Sequence, residues 1–302
     1  MIRVGTAGWS YPDWEGIVYP RPKPRGFHAL SHLARYLDCI EINSSFYGVP
    51  RAEYAERWVS EVQAWPDFRF TAKLQDVFTH RRLPGSGGDD DVGAHQLEAA
   101  AHAWLAGIEP LRASGRLAAV LVQFPHGFHQ SPRTSAHLEF IEGLFGHLPL
   151  VLELRHRSWF EPATLDAIER LGYSLARIDL PAARDHPPAD ARAVGPIGYL
   201  RVHGRNATTW FDARAGRDQR YDYLYSEREV AELARSAGEL ARKVADTYVV
   251  TNNHFAGQAV TNAIELIAAL RLRPEPSAPA ELARKYPRLR ALARTDGQDT
   301  LF

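Results

Sequence analysis

The sequence predicts an α/β protein, a (β/α)8 TIM-type barrel forming a single domain with a C-terminal extension. Three observations carry that prediction. Eight short apolar runs read as strands, at residues 2–7, 39–42, 68–73, 118–124, 150–155, 174–178, 197–203 and 247–251. Near-continuous apolar runs are the pattern of strands buried on both faces. Helical patterns alternate with them at 27–37, 52–62, 96–113, 135–145, 162–171, 227–243 and 258–270, and such alternation implies right-handed βαβ units around a parallel sheet. No Gly-x-Gly-x-x-Gly follows the first strand, as it would in an open dinucleotide-binding sheet. Eight repeats therefore close into a barrel.

The barrel is expected to occupy residues 1–272 of the 302. After it, Pro274-Glu-Pro-Ser-Ala-Pro279 reads as a stiff linker, and a basic helical stretch and polar tail complete a 273–302 extension. The segment Gly85-Ser-Gly-Gly-Asp-Asp-Asp91 reads as a mobile acidic loop tip. The stretch 180–196 carries four prolines and cannot be regular helix throughout. No apolar run approaches the roughly 20 residues that cross a bilayer, and the first residues read as strand rather than signal peptide. The one cysteine, Cys39, excludes an internal disulfide and fits a reducing compartment. A cytoplasmic protein without membrane contact is expected. Formal net charge is zero, which argues against a generally basic nucleic-acid coat but leaves room for a local patch.

In a barrel of this kind the strands' C-terminal ends carry the site. The run Leu150-Val-Leu-Glu-Leu-Arg-His-Arg-Ser-Trp159 sets the design: Glu153 and Arg155 stand two apart, so on an extended chain they point the same way. Buried charge without partners is costly, which calls for further polar groups nearby. The other strand ends supply Thr6 and Trp9, Glu41 and Asn43, Lys73, Gln123, Asp179, Arg201 with His203, and Asn252, Asn253 and His254.

Several of these stretches resemble the YecE-like family, also called domain-of-unknown-function family 72. They are Gly5-Thr-Ala-Gly-Trp-Ser-Tyr-Pro-Asp-Trp14, Glu41-Ile-Asn-Ser-Ser-Phe-Tyr47, Phe68-Arg-Phe-Thr-Ala-Lys73, Thr79-His80, Glu153-Leu-Arg-His-Arg-Ser-Trp159, Arg201-Val-His-Gly204 and Asn252-Asn253. The resemblance spans roughly residues 1–270 and implies the same (β/α)8 fold. It brings no established reaction, substrate or cofactor. Where the typical pattern has an acidic residue after the paired asparagines, this chain has His254.

The residue types at the mouth suit several chemistries. Glu41, Glu153, Asp179 and His203 are the candidate catalytic groups, the carboxylates as acid or base. Lys73, Arg155 and Arg201 would stabilise negative charge and, with Asn43, Asn252 and Asn253, donate to phosphate oxygens. The competing reading pairs the acids and bases off as structural ion pairs. A divalent metal on Glu41, Glu153, Asp179 and His203, with His80, is an alternative, opposed by the repulsion of Arg155 and Arg201. The sequence specifies no cofactor. Trp9, Tyr47 and Trp159 follow strands and could stack on bases or sugar faces.

The chain ends Gln298-Asp-Thr-Leu-Phe302, which resembles the short peptide by which bacterial replication and repair proteins dock on the sliding clamp. There Leu301 and Phe302 would fill an apolar pocket and Gln298 would hydrogen-bond at its rim. Together these readings favour an enzyme, a hydrolase, acting on a phosphate-bearing substrate in DNA metabolism or repair. The substrate would be nucleic acid or a nucleotide, and the reaction phosphodiester or glycosidic cleavage. A sugar or sugar-phosphate isomerase or hydrolase, and a non-catalytic nucleic-acid-binding or adaptor module, stay open.

Overall fold

The computed structural model describes residues 1–81, 93–189, 191–210, 212 and 214–295. Eight parallel strands close into a barrel in chain order. They are β1 (Ile2–Ala7), β2 (Cys39–Ile42), β3 (Arg69–Lys73), β4 (Leu117–Gln123), β5 (Leu150–Glu153), β6 (Ser174–Asp179), β7 (Ile197–Val202) and β8 (Asp246–Thr251). Pairing of Ile2–Thr6 with Thr247–Thr251 joins the last strand to the first. The loop tip expected at 85–91 lies outside the described residues.

Helices form the outer layer. Crossovers one and two hold α1 (Ala29–Ala34), α2 (Ser44–Tyr47) and α3 (Ala52–Glu61). After β3, β4 and β5 come α4 (Ala94–Ala113), α5 (Pro132–Phe145) and α6 (Pro162–Arg170). The chain after β7 forms α7 (Ala207–Trp210), α8 (Arg217–Arg220) and α9 (Glu227–Ala241), and α10 (Gln258–Ala269) follows β8. Helix α5 starts three residues before the apolar periodicity does, because Ser131 caps it, accepting from the Thr134 amide, and Pro132 takes the first position. Among the described residues no helix connects β6 to β7; the four prolines of that stretch remove donors and clash with helical turns. No helix of the described residues is long and apolar enough to cross a membrane.

Side-chain alternation along the strands decides what reaches the site. Inward positions pack as a plug of Cys39, Ala119, Leu121, Val151, Ala176, Tyr199, Tyr248 and Val250. One step further along the same faces stand Glu41, Lys73, Gln123, Glu153, Arg201 and Asn252, since inward residues recur every second position. The outward faces join the helices in the larger core. Strands β1 and β2 approach closely where Gly5 faces Cys39: a β-carbon there would lie 1.8 Å from the Cys39 carbonyl oxygen.

Residues 277–295 fold back on the barrel. Helix α11 (Ala280–Lys285) and the turn Pro287–Ala291 bury Leu282 and Leu289 completely. Arg288 ion-pairs with the buried Glu265 of α10 and donates to the Tyr225 carbonyl at 2.6 Å. Part of the stretch read as linker and tail thus contributes to the core.

Candidate functional site

The barrel mouth opens into a cavity of about 390 Å³. Lys73, Gln123, Arg155, Arg201 and Asn252 reach it from strand ends, Tyr47 from the end of α2, and Trp9, Tyr11, Asn43, Tyr221 and His254 from loops. Among the described residues three basic side chains line it, and no carboxylate does.

The carboxylates lie beneath. Glu41 and Glu153 are fully buried, and Arg201, 2% exposed, bridges them. Its Nη2 donates to Glu41 Oε1 at 2.6 Å and its Nε to Glu41 Oε2 at 3.0 Å, while Nη1 donates to Glu153 Oε2. Arg155 takes the remaining oxygen: its Nε and Nη2 reach Glu153 Oε1 at 2.8 and 2.7 Å. Tyr199 donates to Glu41 Oε2 at 2.9 Å and accepts from the Thr71 hydroxyl at 2.8 Å. All four carboxylate oxygens are engaged, which is what burial of two charges requires.

This arrangement sets the protonation states. Burial alone would raise the Glu153 carboxyl, but Arg201 and Arg155 outweigh it and hold it well below the usual carboxylate range. Burial, then Arg201, push His203 down to about 4, so the ring is neutral at pH 7. The Asn252 amide donates to His203 Nδ1 at 3.1 Å. The other ring nitrogen, Nε2, lies 3.4 Å from Arg201 Nη1 and 3.7 Å from Glu153 Oε1. Burial and then Arg201 also lower Lys73, to about 7, against the opposing pull of Glu153 and Glu41. Its Nζ sits 3.6 Å from the centre of the Phe46 ring.

The expected residues are therefore divided. Glu41, Glu153, Arg155, Arg201, His203 and Lys73 come together, joined by Asn43 and Asn252 at the wall. Tyr47, 75% exposed, stands at the rim, and Trp9 lines the wall with its edge against Trp58, ring centres 5.4 Å apart. Asp179 does not join them. It is of outward parity on β6 and is clamped by Arg205 at 2.7 and 2.9 Å, with Tyr225 donating to it at 2.6 Å. Asn253 faces away as well, donating to Asn262 and the Tyr223 carbonyl, both at 2.8 Å. Trp159 is a core residue: its indole N–H donates to the Phe128 carbonyl at 2.6 Å and its ring stacks on Phe128. Glu153 was expected to serve as acid or base; with its carboxyl held well below the usual carboxylate range, base is the role its charge state suits. Gln298, Leu301 and Phe302 lie outside the described residues.

Sequence reasoning missed Tyr199, Thr71 and Tyr221. Tyr199 was legible in principle, because it stands two residues before Arg201 on the same strand face. Tyr221 was not, since it arrives from the loop that carries α7 and α8. Among the described residues, no group of three or more His, Cys, Asp or Glu side chains is placed to hold a metal ion. His80 bonds through Nδ1 to the Thr79 hydroxyl at 2.8 Å.

Comparison with known proteins adds a family and no reaction. The profile of the family described as "Protein of unknown function DUF72" matches residues 3–285. The UPF0759 protein YunF of Bacillus subtilis is 29% identical over 292 residues, covering 93% of this chain and 99% of that protein. The UPF0759 protein YecE of Escherichia coli is 27% identical over 212 residues, covering 67% and 69%. A crystal structure of a DUF72 family protein from Thermotoga maritima superposes with a TM-score of 0.74 at 31% identity, covering 90% of this chain and 99% of that one. One from Enterococcus faecalis gives 0.75 at 27% identity, covering 91% and 97%.

Proposed function

We propose a function from this chain's own residues, because the chain belongs to the DUF72 family, whose description assigns none. The barrel mouth binds a phosphate-bearing substrate, nucleic acid or a nucleotide, and the protein acts in DNA metabolism in the cytoplasm. One observation carries the reading: among the described residues, Lys73, Arg155 and Arg201 line the cavity and no carboxylate does. Glu41 and Glu153 neutralise Arg201 from below and hold both guanidiniums in place, so the cavity keeps an excess of donors. Arg155 spends two nitrogens on Glu153, leaving the third for a phosphate oxygen. The aromatic rim of Trp9, Tyr47 and Tyr221 suits a base or a sugar face.

The chemistry we assign is phosphodiester or glycosidic cleavage. A second reading, a nucleic-acid-binding module without turnover, is favoured by the lack of a carboxylate at the wall among the described residues. End-labelled single- and double-stranded DNA, with and without Mn²⁺ or Zn²⁺, separates the two on one gel and one anisotropy titration. Arg155→Ala is expected to weaken binding by about tenfold or more. Unchanged affinity in that variant, or no binding at low salt, where phosphate contacts are strongest, removes nucleic acid from the mouth. Cleaved product separates enzyme from module.

The closing pentapeptide is proposed as a tether to the sliding clamp. Leu301→Ala should abolish clamp binding measured with the full chain; binding that survives it, or is absent in the wild type, ends the idea.

A further inference from the structure

Lys73 has a setting that anion binding alone does not require. It stands on the inward face at the end of β3, its carbonyl held by the Ser45 hydroxyl at 2.7 Å and its Nζ above the Phe46 ring. Among the described residues it makes no ion pair, because Arg201, Arg155 and Tyr199 occupy every oxygen of Glu41 and Glu153. Burial, and then the positive charge of Arg201 beside it, oppose protonation, so near neutral pH much of the population is free amine.

Composition sharpens the point. The chain has 36 lysines and arginines together, yet lysine occurs only at Lys23, Lys73, Lys243 and Lys285. The other three are exposed. A position needing only a permanent cation is served by arginine, as at Arg155 and Arg201; an amine that can give up its proton at neutral pH is something arginine cannot supply.

We propose that Lys73 is a nucleophilic amine that forms an imine with the carbonyl carbon of a phosphorylated aldehyde or ketone seated in the mouth. The nitrogen lone pair attacks the carbonyl carbon, the C=O π pair moves to oxygen, and that oxygen takes up protons and leaves as water. Counted from the ammonium, Lys–NH₃⁺ plus the carbonyl gives the protonated imine plus H₂O, with charge and atoms conserved. The phosphate would rest on Arg155, whose third nitrogen carries no carboxylate among the described residues. Imine formation moves the open-chain carbonyl form of a sugar phosphate into the substrate class. The anchor rests on the phosphate reading above; the amine chemistry does not.

The test incubates the full chain with D-glyceraldehyde 3-phosphate and sodium cyanoborohydride at pH 7, then maps adducts by peptide mass spectrometry. The expected result is a saturable adduct at Lys73, formed about tenfold or more faster than at the exposed lysines. Labelling spread over Lys23, Lys243 and Lys285, or none at all, overturns the proposal. So does an undiminished adduct yield in a folded Lys73→Arg protein. Because the map is read on the wild type, misfolding of the variant does not blunt it. Unphosphorylated D-glyceraldehyde is the second arm: equal labelling of Lys73 keeps the amine and removes the phosphate anchor. An absent adduct alongside Arg155-dependent DNA binding does the reverse.

Discussion

Replacing Arg201 by methionine lowers the unfolding free energy by about 3–5 kcal/mol, the cost of leaving a buried charge uncompensated. Glu41 and Glu153 are both completely inaccessible, and Arg201 is the group that touches both. Without it Glu41 keeps only the Tyr199 hydroxyl among its described partners, and Glu153 keeps Arg155 and the more distant His203. Urea denaturation followed by circular dichroism should show a lower midpoint at unchanged slope, the signature of a stability loss without a change in exposed surface. Adding Glu41→Gln and Glu153→Gln to Arg201→Met should recover a large part of the loss, since uncharged amides need no counter-ion. A cost below about 1 kcal/mol for the single change would place the network in the class of solvated ion pairs. Acid offers an independent check. The Glu153 carboxyl is depressed in the folded state, so its contribution is present above the ordinary carboxylate range near 4.5 and is lost as pH falls below it.

How much of this was legible beforehand follows from the range of each interaction. The strands were legible because a parallel strand covered on both faces is apolar along most of its length, and Leu150–Glu153 and Leu117–Gln123, each apolar up to its last residue, show that without help from neighbours. The same-face pairs Glu153/Arg155 and Arg201/His203 were legible because strand alternation is local. Which acid meets which base was not: Arg201 and Glu41 are 160 residues apart, and only barrel closure brings them together. Asp179 shows the limit well. It follows an apolar run just as Glu153 ends one and Glu41 stands one residue from the end of another, but its partners Arg205 and Tyr225 arrive from chain beyond β7 and take it to the helix layer. Trp159 lies in the same specific stretch as Glu153, yet the short helical turn Arg157–Trp159 swings it into the core against Phe128. Proximity in sequence to a site residue fixes neither face nor depth.

Affinity for a single-stranded oligonucleotide is expected to fall as pH rises from 7 to 9, by up to tenfold per unit until the bound-state pKa of Lys73 is reached. The sign follows from proton counting. In the free protein Lys73 titrates at about 7, so above that pH most of the population has lost the ammonium. A phosphodiester beside it favours the charged form and raises that pKa, so the complex holds more protons than its separated parts. Binding then takes up a proton and weakens as protons become scarce. Below pH 7 the ammonium is already present and this dependence flattens. Phosphodiesters do not titrate in the window, and neutral His203, with its value near 4, does not either. Lys73→Met isolates the effect: it should reduce affinity by about 30-fold at pH 6.5, corresponding to ~2 kcal/mol for a desolvated charge contact. At pH 9, where the wild type has largely lost the same charge, the two proteins should converge. Fluorescence anisotropy at constant ionic strength measures both curves. Parallel curves for wild type and variant would show that the pH dependence belongs to another group and that Lys73 does not face the phosphate.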